Sequence, residues 1–98
     1  MTIETIDCAT LKVMRDSNED FILLDVRNPD EYQAGNMGAV LIPLAELEDR
    51  LAELPKDKKI VIHCKSGMRS MKACMLLKYH GYENVINVDG GYLAWCQL

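Results

Sequence analysis

One stretch of the sequence combines a cysteine with residues that would make its sulfur reactive. It reads Ile62-His63-Cys64-Lys65-Ser66-Gly67-Met68-Arg69-Ser70 and continues an apolar run that is typical of a buried strand. A loop that leaves such a strand and enters a helix directs several unpaired backbone N–H groups at one point, where the helix dipole adds partial positive charge. These surroundings favour the thiolate, the nucleophilic form of a cysteine. The stretch therefore predicts Cys64 as a nucleophile.

The residues after Cys64 are predicted to hold an anionic group. Gly67 lets the backbone turn inward at little steric cost. Arg69 supplies a fixed charge with a fork of donors, and Lys65 adds a second charge. The predicted binding loop comprises Lys65, Ser66, Gly67, Met68, Arg69 and Ser70. A sulfonate, a phosphate or the terminal sulfur of a persulfide would suit such a loop.

Composition and charge exclude several classes of function. The 98 residues carry a net charge of −4, yet residues 56–80 hold seven of the 11 basic residues and one acid. An acidic protein with one basic segment argues against nucleic-acid binding and for a local anion site. No apolar run approaches the ~18 residues of a membrane span, and the first residues do not form an export signal. We therefore expect one domain over residues 1–98, located in the cytoplasm, without a membrane partner.

The four cysteines do not form a recognisable metal or disulfide pattern. They stand at positions 8, 64, 74 and 96, without a Cys-x-x-Cys pair and without His at zinc-finger spacing. We expect reduced thiols, no metal and no cofactor, with Cys8 and Cys96 as packing residues and no disulfide between Cys64 and Cys74.

Short apolar runs alternate with helical patterns along the chain. Strands are predicted at Phe21–Leu24, Val40–Ile42, Lys59–His63 and Val85–Val88. Helices are predicted after the caps Asp7 and Asn28, over Leu44–Leu54, over Ser70–His80 and after Gly90-Gly91. Met71 and Met75 are expected in the core, and Met68, in the loop, is expected at the entrance of the pocket. Apolar strands separated by helices indicate an α/β fold whose central, mainly parallel sheet is flanked by helices on both faces.

Four motifs in order give the chain a resemblance to single-domain rhodaneses, members of the sulfurtransferase family. Leu24–Tyr32 is similar to the family's Asp-Val-Arg signature, and Gly35–Leu44 to the segment that follows it. Cys64–Ser70 is similar to the active-site loop, and Gly90–Trp95 to the closing motif. One departure is that Asn36-Met37-Gly38 replaces the family's usual His-Ile-Pro-Gly.

The resemblance implies a rhodanese-like fold and a thiosulfate sulfurtransferase activity. Cys64 would take a sulfane sulfur from a small-molecule donor such as thiosulfate and hold it as a persulfide, surrounded by backbone N–H groups of Lys65–Ser70. A thiophilic acceptor, either cyanide or a thiol that a protein could also supply, would then remove the sulfur.

Two alternatives remain open from the residues. His63-Cys64 matches the start of the His-Cys-x5-Arg loop of phosphatases and arsenate reductases, but only four residues separate Cys64 from Arg69. That shorter loop suits a sulfur atom better than a tetrahedral phosphate. The second alternative is a non-catalytic rhodanese-like module for binding or sulfur relay.

Overall fold

A five-stranded, entirely parallel sheet forms the centre of the protein in a computed structural model that describes residues 2–98. The strand order is β1-β5-β4-β2-β3. The strands are β1 Glu4–Ile6, β2 Ile22–Asp25, β3 Val40–Leu41, β4 Ile60–His63 and β5 Val85–Val88. The helices are α1 Cys8–Asp16, α2 Pro29–Ala34, α3 Leu44–Leu47, α4 Met68–Tyr79 and α5 Gly91–Trp95, with a 3₁₀ segment at Glu48–Glu53 after α3.

Helices cover both faces of this sheet, which confirms the predicted α/β architecture. One face packs against α3 and α4, and its core includes Leu24, Ile60, Ile62, Leu47 and Leu77. The other face packs against α1 and α5, and its core includes Val61, Ile86, Val88, Leu11 and Trp95. Because the inner strands are buried on both faces, they form continuous apolar runs rather than alternating ones. None of the helices within residues 2–98 has the length and apolar character that crossing a membrane requires.

Two elements differ from the prediction. The strand Glu4–Ile6 was not predicted, because it is three residues long, lies at the sheet edge and is largely exposed. The predicted helix Leu44–Leu54 breaks after Leu47 and continues as the 3₁₀ segment, where Arg50 has non-helical dihedral angles. Leu51 and Leu54 are three positions apart, which is the repeat of a 3₁₀ helix, so both still face the core.

The expectation that Met75 lies in the core was wrong, because this residue is 50% exposed. Met68 is 75% exposed and borders the larger groove beside the loop. The face of α4 that packs on the sheet carries small and medium side chains instead, namely Ser70, Ala73, Cys74 and Leu77. The spacing of the methionines is helical, but helical spacing alone does not say which of two faces is buried.

The segment after α2 is closed by side-chain hydrogen bonds where the family's usual proline is missing. α2 begins in a capping box, in which Glu31 accepts from the backbone N–H of Asn28 at 3.0 Å. Beyond its end, the amide of Asn36 donates to the carbonyl of Tyr32 and accepts from the N–H of Gly38. Asn36 therefore holds the turn that leads into β3.

A buried ion pair joins the end of β2 to α2. The Arg27 guanidinium donates to the Asp25 carboxylate at 2.7 Å and to the carbonyl of Gly35, just beyond α2, at 2.8 Å. Asp25 is fully buried and Arg27 is 3% exposed. The guanidinium also lies 4.4 Å from the centre of the Tyr92 ring. Because each partner satisfies the other, two charges are accommodated inside the protein.

We expect Arg27→Met to destabilise the protein strongly. The substitution leaves the Asp25 carboxylate buried without its counter-charge, a change that costs about 3–5 kcal/mol of unfolding free energy. Urea unfolding would measure it, with Lys12→Met as the control because Lys12 forms an exposed ion pair with Asp16 worth about 0–1 kcal/mol. Similar losses in the two variants would contradict the importance of the buried pair.

Candidate active site

Cys64 lies where β4 ends, at the carboxyl edge of the sheet. It is the first residue beyond His63, and α4 begins four positions later at Met68. The cysteine is 1% exposed, so its sulfur lies beneath the loop that connects the strand to the helix. In open parallel sheets this edge is where ligands bind.

Hydrogen bonds reach the Cys64 sulfur from the loop and from the first turns of α4. The N–H of Gly67 donates to Sγ at 3.1 Å, and the Ser70 hydroxyl lies 3.4 Å from the same atom. Burial by itself raises the pKa of the Cys64 thiol. The Ser70 hydroxyl, when its hydrogen points at the sulfur, together with backbone N–H groups of Ser70, Gly67 and Ser66, outweighs that effect and holds the pKa of Cys64 below its ordinary value. The thiolate is thus favoured inside the protein.

The other cysteines lack such an environment. All four are free thiols. Cys74 is fully buried on α4, and burial raises the pKa of its thiol to about 12. Burial also raises the pKa of Cys8, and Cys96 is exposed near the end of α5. Cys64 is therefore the cysteine whose surroundings stabilise a thiolate by hydrogen bonding.

The start of the loop is fixed from the side by α5. The N–H groups of Tyr92 and Leu93 donate to the carbonyls of Cys64 and Lys65 at 2.8 and 3.1 Å. This approach requires glycine at position 91, because a Cβ atom there would collide with both carbonyl oxygens. The closing Gly-Gly motif of the sequence thus holds the backbone of Cys64.

Arg69 is bound by a carboxylate. Its two terminal nitrogens donate to the two oxygens of Glu31 on α2, at 2.7 and 2.8 Å. This hydrogen-bonded pair lowers the pKa of Glu31 to about 2 and raises the pKa of Arg69. The sequence favoured Arg69 as a free charge for an anion, whereas here its charge is neutralised by Glu31.

The remaining loop residues line two depressions on the surface. A groove of about 440 Å³ is bordered by Ser66, Gly67 and Met68 of the loop, and by Met71, Lys72, Thr5, Asn87 and Asp89. A smaller pocket of about 210 Å³ is bordered by Lys65, and by Arg27, Glu31, Ala34, Gly35, Tyr92 and Leu93. Lys65 is exposed and forms no ion pair with any of residues 2–98. Of the six predicted loop residues, four border these two openings, Ser70 lies beside the buried sulfur and Arg69 is paired with Glu31.

His63 is held beside the loop. It is fully buried, its Nδ1 lies 3.1 Å from the carbonyl of Cys64, and its Nε2 lies 3.5 Å from Asp25. Burial lowers the pKa of the imidazole. Because a carbonyl only accepts, Nδ1 carries the proton, and the ring orients the backbone rather than the sulfur.

Two residues of the site were not predicted from the sequence. Glu31, the partner of Arg69, is 38 positions away along the chain, and only the folded topology brings the two together. Asn87 accepts a hydrogen bond from Ser70. A signal for Asn87 was present, because a polar side chain within the apolar strand Val85–Val88 requires a buried hydrogen-bond partner.

Comparisons with known proteins agree with this fold and loop. The family model described as "Rhodanese-like domain" matches residues 7–98. A protein of Allochromatium vinosum named "Sulfurtransferase" is 38% identical over 97% of this chain and 90% of its own length. The "Thiosulfate sulfurtransferase GlpE" of Pseudoalteromonas translucida is 37% identical over 79% of this chain and 74% of its own.

A solved structure gives the same result. The crystal structure of the rhodanese-like domain protein from Staphylococcus aureus superposes with a TM-score of 0.89 at 31% identity, covering 95% of this chain and 91% of that one. The chain therefore belongs to the rhodanese-like domain family, as its motifs predicted, and its relatives include named sulfurtransferases.

We expect Glu31→Gln to flatten the acid part of the stability profile. The folded carboxyl has a pKa of about 2 against an ordinary 4.5, so between these values the unfolded chain binds the proton more readily. Stability is therefore lost as the pH falls through this window. Urea unfolding from pH 6 to pH 2.5 would show a weaker dependence in Glu31→Gln than in the wild type. Glu83→Gln, at a residue without an ion pair to residues 2–98, is the control, and a profile equal to the wild type in Glu31→Gln would contradict the pairing.

Proposed function

We propose that this protein transfers a sulfane sulfur from an anionic donor such as thiosulfate to a thiophilic acceptor, through a persulfide on Cys64. The observation that carries the proposal is the environment of the Cys64 sulfur. It is buried, it accepts from the N–H of Gly67, and its pKa is lowered by donors of the loop and α4. Membership of a family with named sulfurtransferases supports the same activity.

In the first step, the Cys64 thiolate attacks the outer sulfur of thiosulfate. A bond forms between the two sulfurs while the outer sulfur's bond to the sulfonate sulfur breaks. Sulfite leaves with the electron pair of that bond, so no external oxidant is needed. The backbone N–H groups that stabilise the thiolate would then surround the terminal sulfur of the persulfide.

In the second step, an acceptor removes the terminal sulfur. The carbon of cyanide, or the sulfur of a thiolate, attacks that atom, and the Cys64–sulfur bond breaks with its electron pair returning to Cys64. The same donors stabilise the returning thiolate, so one hydrogen-bonding arrangement serves both half-reactions. The acceptor is a small thiophile or the thiol of a partner protein.

Among the loop cations, Lys65 is the one we propose for attracting the donor. Arg69 is occupied by both oxygens of Glu31. Lys65 directly follows Cys64, is exposed and borders the smaller pocket beside the loop. A cation in that place attracts a doubly charged donor and stabilises the charge of departing sulfite.

Thiosulfate should add one sulfur atom to the wild-type protein, and cyanide should remove it. Cys64→Ser should gain no mass, while Cys74→Ser, which replaces a fully buried thiol with a pKa of about 12, should gain it as the wild type does. Intact-protein mass spectrometry measures all three. A gain that persists in Cys64→Ser would refute the assigned nucleophile. No gain in the wild type with thiosulfate or with polysulfide would refute the transfer itself.

Lys65→Met should weaken the use of thiosulfate. Losing one exposed charge near the donor lowers kcat/KM by about threefold to tenfold, corresponding to about 1 kcal/mol of screened attraction, and reduces its salt dependence. Lys72→Met is the matched control, because Lys72 is also exposed but borders the larger groove instead. Equal effects of the two substitutions would assign the attraction to the overall field of the protein rather than to Lys65.

A further inference from the structure

Asn87 is a buried polar residue within the otherwise apolar strand β5. It lies in β5, between β1 and β4, with Thr5 and Ile62 as its partners in the two neighbouring strands. It is 3% exposed. As side chains alternate along a strand, Asn87 shares with Val85 the face of the sheet that is covered by α4.

A hydrogen-bonded chain leads from Asn87 to the Cys64 sulfur. The Ser70 hydroxyl donates to Oδ1 of Asn87 at 2.5 Å, and the oxygen of that hydroxyl is 3.4 Å from Sγ of Cys64. All three residues are almost completely buried. Because these groups are buried, their hydrogens are shared chiefly among the three residues themselves.

The direction of the one hydroxyl hydrogen of Ser70 decides whether the hydrogen bonding around the sulfur suits the thiol or the thiolate form of Cys64. When it is donated to Asn87, only lone pairs of the Ser70 oxygen face the sulfur. Lone pairs accept the S–H hydrogen of a thiol but repel a thiolate. A thiolate requires the Ser70 hydrogen to point at sulfur, and Asn87 must then stop accepting it.

A carboxamide meets both requirements, because one end accepts and the other donates. A half-turn of the Asn87 amide would place its NH₂ group against the Ser70 oxygen. The Ser70 oxygen would then accept from that NH₂ group, and the Ser70 hydrogen would be free to bond the thiolate. Neither a carboxylate nor an apolar side chain of the same shape offers this choice.

We infer that Asn87 is a positioning residue for the reactive sulfur, acting through the Ser70 hydroxyl and turning its amide to match the thiol or the thiolate form of Cys64. The inference rests on the proposed function only in taking Cys64 as the reactive group. It assigns a role to a residue of β5 that is outside the loop motif and does not contact the sulfur.

Charged groups around this chain do not take over its role. Arg69 is paired with Glu31, and Asp25 on β2 is paired with Arg27. Lys72 and Asp89 border the same groove as Asn87. Among residues 2–98, none of these side chains forms a hydrogen bond with Cys64, Ser70 or Asn87.

The test is the pKa of Cys64 in Asn87→Asp and Asn87→Leu, two substitutions of nearly the same shape. The carboxylate of Asn87→Asp only accepts, so it keeps the Ser70 hydrogen away from sulfur, and we expect the pKa of Cys64 to rise by about one to two units. Leucine does not compete for that hydrogen, and the pKa should stay near the wild-type value. The ultraviolet absorbance of the thiolate, titrated against pH and corrected with Cys64→Ser, measures each value without any sulfur donor.

A second pair of variants separates the effect passed through the Ser70 hydroxyl, here called the Ser70 relay, from the direct effect of a new charge at position 87. Ser70→Ala removes the hydroxyl, so in that background Asn87→Asp should raise the pKa of Cys64 much less than it does in the wild type. If Asn87→Asp raised the pKa of Cys64 equally in both backgrounds, its effect would come from the new charge alone, and the inference would be overturned. If Asn87→Asp and Asn87→Leu raised this pKa equally, the effect would come from altered packing, which would overturn the inference too.

The titration stays decisive if a variant or the proposed function fails. If Asn87→Asp does not fold, Ser70→Ala should still raise the pKa of Cys64, and adding Asn87→Leu to it should change nothing further. A further rise in that double variant would overturn the relay. Sulfur transfer by these variants is measured separately, so an inactive protein with the expected titrations would contradict the proposed function and leave the relay supported.

Discussion

The ion pair between Asp25 and Arg27 is the interaction on which the placement of the reactive loop depends. A buried charge persists only when a counter-charge and hydrogen bonds compensate it, and Arg27 finds these on β2 and at the carbonyl of Gly35. The end of α2 is thereby tied to the end of β2. Glu31, on α2, is then in place to bind Arg69 at the start of α4. The buried pair thus helps to position the loop through α2 and the bond between Glu31 and Arg69.

The lowered pKa of Cys64 is a local effect of hydrogen bonding. Cys64 and Cys74 are both buried, and burial raises the pKa of each thiol. At Cys64 the N–H of Gly67 and the Ser70 hydroxyl reverse the effect, whereas at Cys74 burial remains the largest influence. The bend at Gly67, whose φ of 110° suits glycine, is what directs those donors at one sulfur and not at the other.

The sequence predicted the sheet and its covering helices, and it singled out Cys64 as the candidate nucleophile, because each of these inferences depends on neighbours along the chain. Apolar runs identify the inner strands, and the loop motif identifies Cys64. The partners of side chains that are distant along the chain could not be predicted in this way. Nothing near Arg69 in the sequence indicates that Glu31 binds it, and nothing in the spacing of the methionines indicates that Met68 and Met75 face outward. Such features arise from the packing of α2 and α4 after folding, which local patterns do not encode.

The strand order has a consequence for the order of folding. β1 pairs with β5 alone, so residues 4–6 find their partners at residues 86–88. Contacts between distant parts of a chain require a large loop to close first, and parallel pairing of this kind slows folding. The N-terminal strand consequently has no place in the sheet until β5 has left the ribosome. During synthesis β1 therefore remains unpaired until residues 86–88 have emerged, whereas β2 can pair with β3 and β4 earlier.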